Sequence, residues 1–202
     1  MTFGFSISPE NGVTARLDYE RMGGDASVQQ MRTDVRGFLS IPFARSPLGR
    51  HVLAARVAAG RNSGDYIFQR ELRVGGISEG EFVAAGTRDF PVRGYDTGTL
   101  RGRQAALASV EYRLPIFDAD RGPGTLPFFF NRLVGDVFVD AGTAWDRRTD
   151  ARRTIASAGL ELAADLVIGY WAPLRYRVGV AWRLRDPDRG EVQPFVALSS
   201  SF

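Results

Sequence analysis

Apolar and polar residues alternate one by one over most of this chain, and a period of two admits strands and little else. Leu174 to Arg185 is the clearest case. Leu174, Tyr176, Val178, Val180, Trp182 and Leu184 fall on one face, and Arg175, Arg177, Gly179, Ala181, Arg183 and Arg185 on the other. A helix would scatter these arginines around its axis, whereas a strand gathers them on one side.

The same split recurs along the chain. Ala106, Ala108, Val110, Tyr112 and Leu114 oppose Ser109, Glu111 and Arg113; Leu133, Val137, Val139 and Ala141 oppose Asp136, Phe138 and Asp140. Leu160, Leu162, Leu166 and Ile168 oppose Ser157, Glu161 and Asp165, and Val35, Leu39 and Ile41 oppose Arg32, Asp34, Arg36 and Ser40. Strands are expected at about 2–8, 12–20, 28–41, 50–60, 103–116, 131–145, 154–170, 174–185 and 191–202. Most of these exceed the usual globular strand of about 5–6 residues and match a tilted membrane strand of about 9–11 or more.

Tight turns at Pro9–Gly12 and Trp171–Pro173 alternate with longer connections at 21–27, 61–102, 146–153 and 186–190. Outer-membrane barrels have that rhythm. The connections at 42–49 and 117–130 read as longer than the rhythm asks for on the short-turn side.

Alternation alone does not say which face meets lipid. The polar face decides it, because arginine is matched there by aspartate or glutamate on strand after strand, with glycine and serine between. Such a face can line a wet lumen, while the opposite face of Leu, Val, Ile, Tyr and Trp carries almost no charge, as lipid contact requires. Trp145, Tyr170, Trp171 and Phe202 stand near strand ends, where an interfacial girdle would lie. The expected fold class is therefore all-β, an antiparallel transmembrane β-barrel over 1–202 with one long loop at 61–102.

Composition narrows the functions. No stretch of about 18 apolar residues runs uninterrupted; the nearest, Ala156 to Leu174, is broken by Glu161 and Asp165. With no cysteine there is no disulfide or thiolate metal site, and with His51 as the one histidine no site can need two. No nucleophile elbow or paired catalytic motif stands out, which argues against a barrel lipase, protease or acyltransferase, and nothing calls for a cofactor or metal. All 26 basic residues are arginine, but they are spread singly among acids at a net charge of +3, which is no nucleic-acid patch.

Four local sequences then carry a resemblance: Val92-Arg93-Gly94-Tyr95 inside the long loop, Ser109-Val110-Glu111-Tyr112-Arg113-Leu114-Pro115, Phe138-Val139-Asp140-Ala141-Gly142, and the terminal Phe202. In order, spacing and strand phase the chain resembles the C-terminal β-barrel of the BamA/TamA-type outer-membrane assembly superfamily, the bacterial surface antigen family. The first three match its V-R-G-[FY], S-x-E-Y-R-x-P and F-x-D-x-G motifs, and Phe202 resembles its C-terminal assembly signal. Ser6 to Gly12 and Asp34 to Leu39 resemble members in which the barrel follows a β-propeller.

The resemblance implies a bacterial outer-membrane protein that helps insert outer-membrane proteins or move polypeptide through its lumen and lateral seam. Its partners would be outer-membrane lipid and unfolded outer-membrane protein or secreted polypeptide clients. It also implies that the loop folds back, so that Arg93 pairs with Asp140 and Glu111, Gly94 allows a tight approach, and Tyr95 packs on the wall. Glu111 and Asp140 share the lumen face by strand parity, which agrees. Otherwise Arg93 is solvated, and Glu111 and Asp140 pair with Arg113 or Arg177.

The family barrel has sixteen strands against the nine segments here, and Met1 is followed by no export signal. The expectation is a C-terminal portion of such a barrel, or a smaller barrel of eight strands. A passive channel or structural barrel is the alternative function, with the 61–102 loop outside the lumen.

Overall fold

In a computed structural model the described residues are 11–24, 27–46, 49–65, 70–77, 89–121, 128–146, 153–169, 172–185 and 189–199. The chain runs β1 (Gly12–Met22), β2 (Val28–Ser46), β3 (Gly49–Gly64), β4 (Leu72–Val74), β5 (Asp89–Phe90), β6 (Leu100–Gly102), β7 (Gln104–Arg121), β8 (Phe128–Trp145), β9 (Thr154–Ile168), β10 (Ala172–Arg183) and β11 (Val192–Ser199). Among the described residues there is no helix long and apolar enough to cross a membrane, and none of β1–β11 is helical.

Eight long strands form one antiparallel sheet in the order β1-β2-β3-β7-β8-β9-β10-β11. Each pairs with its sequence neighbour, save that β3 pairs with β7 across the long loop. Among the described residues β1 and β11 each have one partner strand, so the sheet is open there. The expected strand at 2–8 and the expected girdle residues Tyr170, Trp171 and Phe202 lie outside the described residues.

Two connections differ from expectation. The one anticipated at 42–49 shrinks to 47–48, because β2 continues to Ser46 and β3 begins at Gly49; the one anticipated at 117–130 shrinks to 122–127. A proline explains the first of these. Pro42, just past the expected end at 41, looks like a strand end because proline donates no backbone hydrogen bond. The ladder shifts register between Ile41 and Arg45, and between Pro115 and Phe117, and then resumes. Such irregularities absorb the missing donor without ending the strand. The connections at 65–103, 146–153 and 184–191, the longest, share one end of the sheet with 23–27, and those at 47–48, 122–127 and 169–171 lie at the other, close to the rhythm of such barrels.

The parity assignments hold. Val137, Val139, Leu160, Leu162 and Val178 point outward and are exposed, while Val180 is half-buried. Asp140 and Arg175 are buried on the inner face, with Glu111 and Arg177 partly buried there. His51 lies on the outer face as expected, its Nδ1 2.6 Å from the Tyr112 hydroxyl. At the short-turn end Phe117, Phe128 and Phe129 are exposed, which gives that rim an aromatic band beyond the residues anticipated.

The inner face is drier than expected. Against its upper part packs the long loop, whose β4, β5 and β6 form a separate three-stranded sheet. Leu72, Val74, Phe90, Val92 and Tyr95 of the loop meet Ala58, Ala105, Leu107, Ala144 and Ile155 of the wall in one apolar cluster. The lumen is therefore not lined by paired ions alone.

Val137 tests the lipid assignment. It lies midway along β8 with its side chain outward. Val137→Arg should lower unfolding stability in a bilayer by about 2–4 kcal/mol, the cost of a cation near the midplane of a barrel's lipid face. Denaturant titration in liposomes reads this, and a change below about 0.5 kcal/mol, typical of an exposed site in water, would contradict lipid contact.

Candidate functional site

Three adjacent strands bring three carboxylates to one place. Register pairs Ser109 with Asp140 and Glu111 with Phe138 across β7 and β8, and Phe138 with Gly159 and Asp136 with Glu161 across β8 and β9. Because side chains alternate, Glu111, Asp140 and Glu161 all point inward from neighbouring strands. Into that group the loop delivers Arg93.

Arg93 is 4% exposed, Asp140 2% and Glu161 4%. The guanidinium forks onto Asp140, with Nε donating to Oδ2 at 2.7 Å and Nη2 to Oδ1 at 2.8 Å. The Arg93 backbone N–H also donates to Asp140 Oδ2, at 3.2 Å. Nη2 lies 2.9 Å from Glu111 Oε1, and Nη1 donates to Glu161 Oε2 at 3.3 Å. The Phe138 ring sits beneath, 3.6 Å from centroid to guanidinium carbon. A bidentate carboxylate plus a π face is the arrangement that suits a planar guanidinium and not a compact ammonium. Burial by itself lowers the pKa of Arg93; the hydrogen bonds and charge of Asp140, with Glu111 and Glu161, outweigh it and raise the pKa, so the group stays a cation.

The alternative pairing coexists with this one. Arg113 Nη2 donates to Glu111 Oε2 at 2.8 Å, and Arg177 Nε to Glu161 Oε1 at 2.6 Å. Glu111 and Glu161 are thus shared between a wall arginine and Arg93. Asp140 is different: among the described residues Arg93 is its one ion-pair partner, and Ser109 Oγ adds a hydrogen bond at 2.6 Å.

Gly94 and Tyr95 fix the tip. Gly94 has φ of +86°, and a Cβ there would stand 2.6 Å from the Ala181 Cβ. Its carbonyl accepts from Arg183 Nε at 2.6 Å. The Tyr95 hydroxyl donates toward the carbonyls of Ala156 at 3.0 Å and Arg185 at 2.8 Å, beyond the simple packing expected of it.

Sequence reasoning placed Arg93, Gly94, Tyr95, Glu111 and Asp140, and the structure brings all five to one site. It missed Glu161, although Glu161 was on the lumen face by parity, and parity with a wall arginine was the only available signal. It also missed Gly142 as a seat: a Cβ there would lie 2.5 Å from Val74 Cγ1 and 2.7 Å from Val92 Cγ2, so the loop can dock only on glycine. Phe202 lies outside the described residues. Among the described residues no group of three or more His, Cys, Asp or Glu could hold a metal ion.

The Omp85 superfamily domain matches residues 3–196. The chain belongs to the Omp85 superfamily. That is the assembly superfamily its motifs resemble, a family of bacterial outer-membrane β-barrel proteins concerned with protein assembly and translocation. No curated protein matches the chain significantly.

Two substitutions separate the contributions. Arg93→Ala leaves Asp140 buried without its cation and should cost about 3–5 kcal/mol. Asp140→Asn should act similarly, and the double variant should be no worse than the worse single one, because both remove one interaction. Thermal or denaturant unfolding checks this; strictly additive losses would show that the two do not interact. Gly94→Ala should cost about 1–2 kcal/mol from its left-handed backbone, and about 1–3 kcal/mol more from the contact with Ala181. Adding Ala181→Gly should recover the second part alone.

Proposed function

We propose that this chain acts in the bacterial outer membrane in the insertion of outer-membrane proteins or the translocation of polypeptide, with residues 1–202 working as one barrel domain. The clients would be unfolded outer-membrane or secreted polypeptides, and lipid would surround the outer face. Arg93, Gly94, Tyr95, Glu111 and Asp140 would act as a lock that holds the long loop in the lumen. Phe202 would serve as the C-terminal signal by which the barrel is itself assembled.

The observation that carries this reading is the burial of Arg93 among Asp140, Glu111 and Glu161. A loop docked by a buried cation needs a reason to be there, since water would hold that cation at no desolvation cost. A passive channel has no use for such a plug, and there the loop would belong outside. No covalent step is required of any residue: the work is binding, exclusion and release.

The test is a client-insertion assay in liposomes bearing the chain. Arg93→Ala should reduce the rate of client insertion by about tenfold or more while the barrel still folds, equivalent to at least about 1.4 kcal/mol. Arg93→Lys, which keeps the charge but loses the fork, should fall between. Insertion at the unmodified rate by a folded Arg93→Ala protein would remove the support for the lock.

A further inference from the structure

The group of residues that receives Arg93 is built without any help from the loop. Asp140 and Phe138 come from β8, Glu111 and Ser109 from β7, and Glu161 from β9. Ladder hydrogen bonds between those three strands hold it in shape, not the loop it receives. It is a preformed socket, and its geometry is specific: a fork onto Asp140, an oxygen from Glu111, another from Glu161, and an aromatic floor 3.6 Å away.

Its charge is unbalanced once Arg93 leaves. Glu111, Asp140 and Glu161 carry three negative charges, and the cations in direct contact with them besides Arg93 are Arg113 and Arg177. Glu111 and Glu161 keep those two partners. Asp140, 2% exposed with the loop docked, then keeps only a serine hydroxyl among the described residues. An undocked loop would thus leave Asp140 without an ion-pair partner among the described residues, at an opening shaped for a guanidinium that a like group can refill.

The neighbouring contacts read the next residue too. Arg183 Nε holds the Gly94 carbonyl at 2.6 Å, and a Cβ at position 94 would meet Ala181 at 2.6 Å. A chain that follows the path of the loop tip must present arginine and then glycine.

We propose that the socket of Asp140, Glu111, Glu161 and Phe138 is a guanidinium-binding site that accepts an Arg-Gly pair from an extended polypeptide, with Arg93-Gly94 of the loop as its built-in occupant. The ligand's being a client segment rests on the function proposed above. The binding itself does not, and its measurement involves no client insertion, so failure of the one is distinguishable from failure of the other.

The experiment uses the full chain in lipid nanodiscs with Arg93→Ala, which vacates the socket. The probe is a short fluorescein-labelled peptide with a single Arg-Gly pair, read by anisotropy. Otherwise identical peptides carry Lys-Gly, citrulline-Gly or Arg-Val. Arg-Gly should bind at least about tenfold more tightly than each of the three, and adding Asp140→Asn to the protein should remove that preference. Equal binding of the Arg-Gly and citrulline-Gly peptides would overturn the proposal, as would a preference that survives Asp140→Asn.

Where Arg93→Ala does not fold, the unmodified chain serves by competition. Excess Arg-Gly peptide should then increase proteolytic cleavage of the long loop at least about threefold over the citrulline peptide, because the two guanidiniums compete for one site. Identical cleavage with both peptides would count against it.

Discussion

A guanidinium carried out of water must meet its counter-charges where it lands, and Arg93 meets three from three adjacent strands. That requirement ties the parts of the molecule to one another. The fork onto Asp140 forms only if β8 keeps its register with β7 and β9, since a slip of one residue would turn every side chain to the other face. The loop, in turn, stays docked only while those acids point inward. Local features serve the same arrangement: Gly142 leaves room for Val74 and Val92, and Gly94 lets the backbone pass Ala181. The apolar cluster around Leu72, Phe90 and Ile155 keeps water from the upper lumen and so lowers the dielectric in which the ion pairs act.

The outer face answers to a different constraint. Lipid offers no hydrogen bonds, so each backbone N–H and C=O must find its partner within the sheet. Long ladders with neighbouring strands in sequence order satisfy this for β2, β3 and β7–β10, and they leave the outward residues free to be mostly apolar. The one outward histidine, His51, is satisfied by Tyr112. The two faces therefore divide the work: the outer one makes the sheet compatible with lipid, and the inner one holds the loop.

The inner face is itself divided. Toward β7–β10 its acids hold the loop and the wall arginines. Toward β2 and β3, Asp34 is shared by Arg32, Arg36 and Arg56, with Arg36 and Arg56 opposite each other in the ladder. Like charges facing across a pair are unfavourable without a carboxylate between them, and Asp34 supplies it. Arg32 also lies over the Phe90 ring of the loop, 5.0 Å from its centroid. The loop is thus held from both sides of the lumen by arginine chemistry, once by its own Arg93 and once by an arginine of the wall.

The alternation of residues such as Leu174 to Arg185 determined by itself that the chain is strand and which side chains of one strand share a face, and the charges matched on the polar faces added that Glu111 and Asp140 point the same way as Asp136 and Arg177. Those are properties of a repeat of two, and a repeat of two is local. The three motifs were legible for the same reason, each being a short run within one element. The strand end before Pro42 was misread because a missing donor looks alike at a terminus and at a bulge, and only the partner strand tells them apart. Glu161 could not be singled out, since its place beside Arg93 depends on how β9 registers against β8, a contact 68 residues distant in sequence. The dryness of the upper lumen was likewise invisible: Leu72, Phe90 and Ile155 belong to separate segments, and burial is decided by which surfaces meet after the sheet has curled.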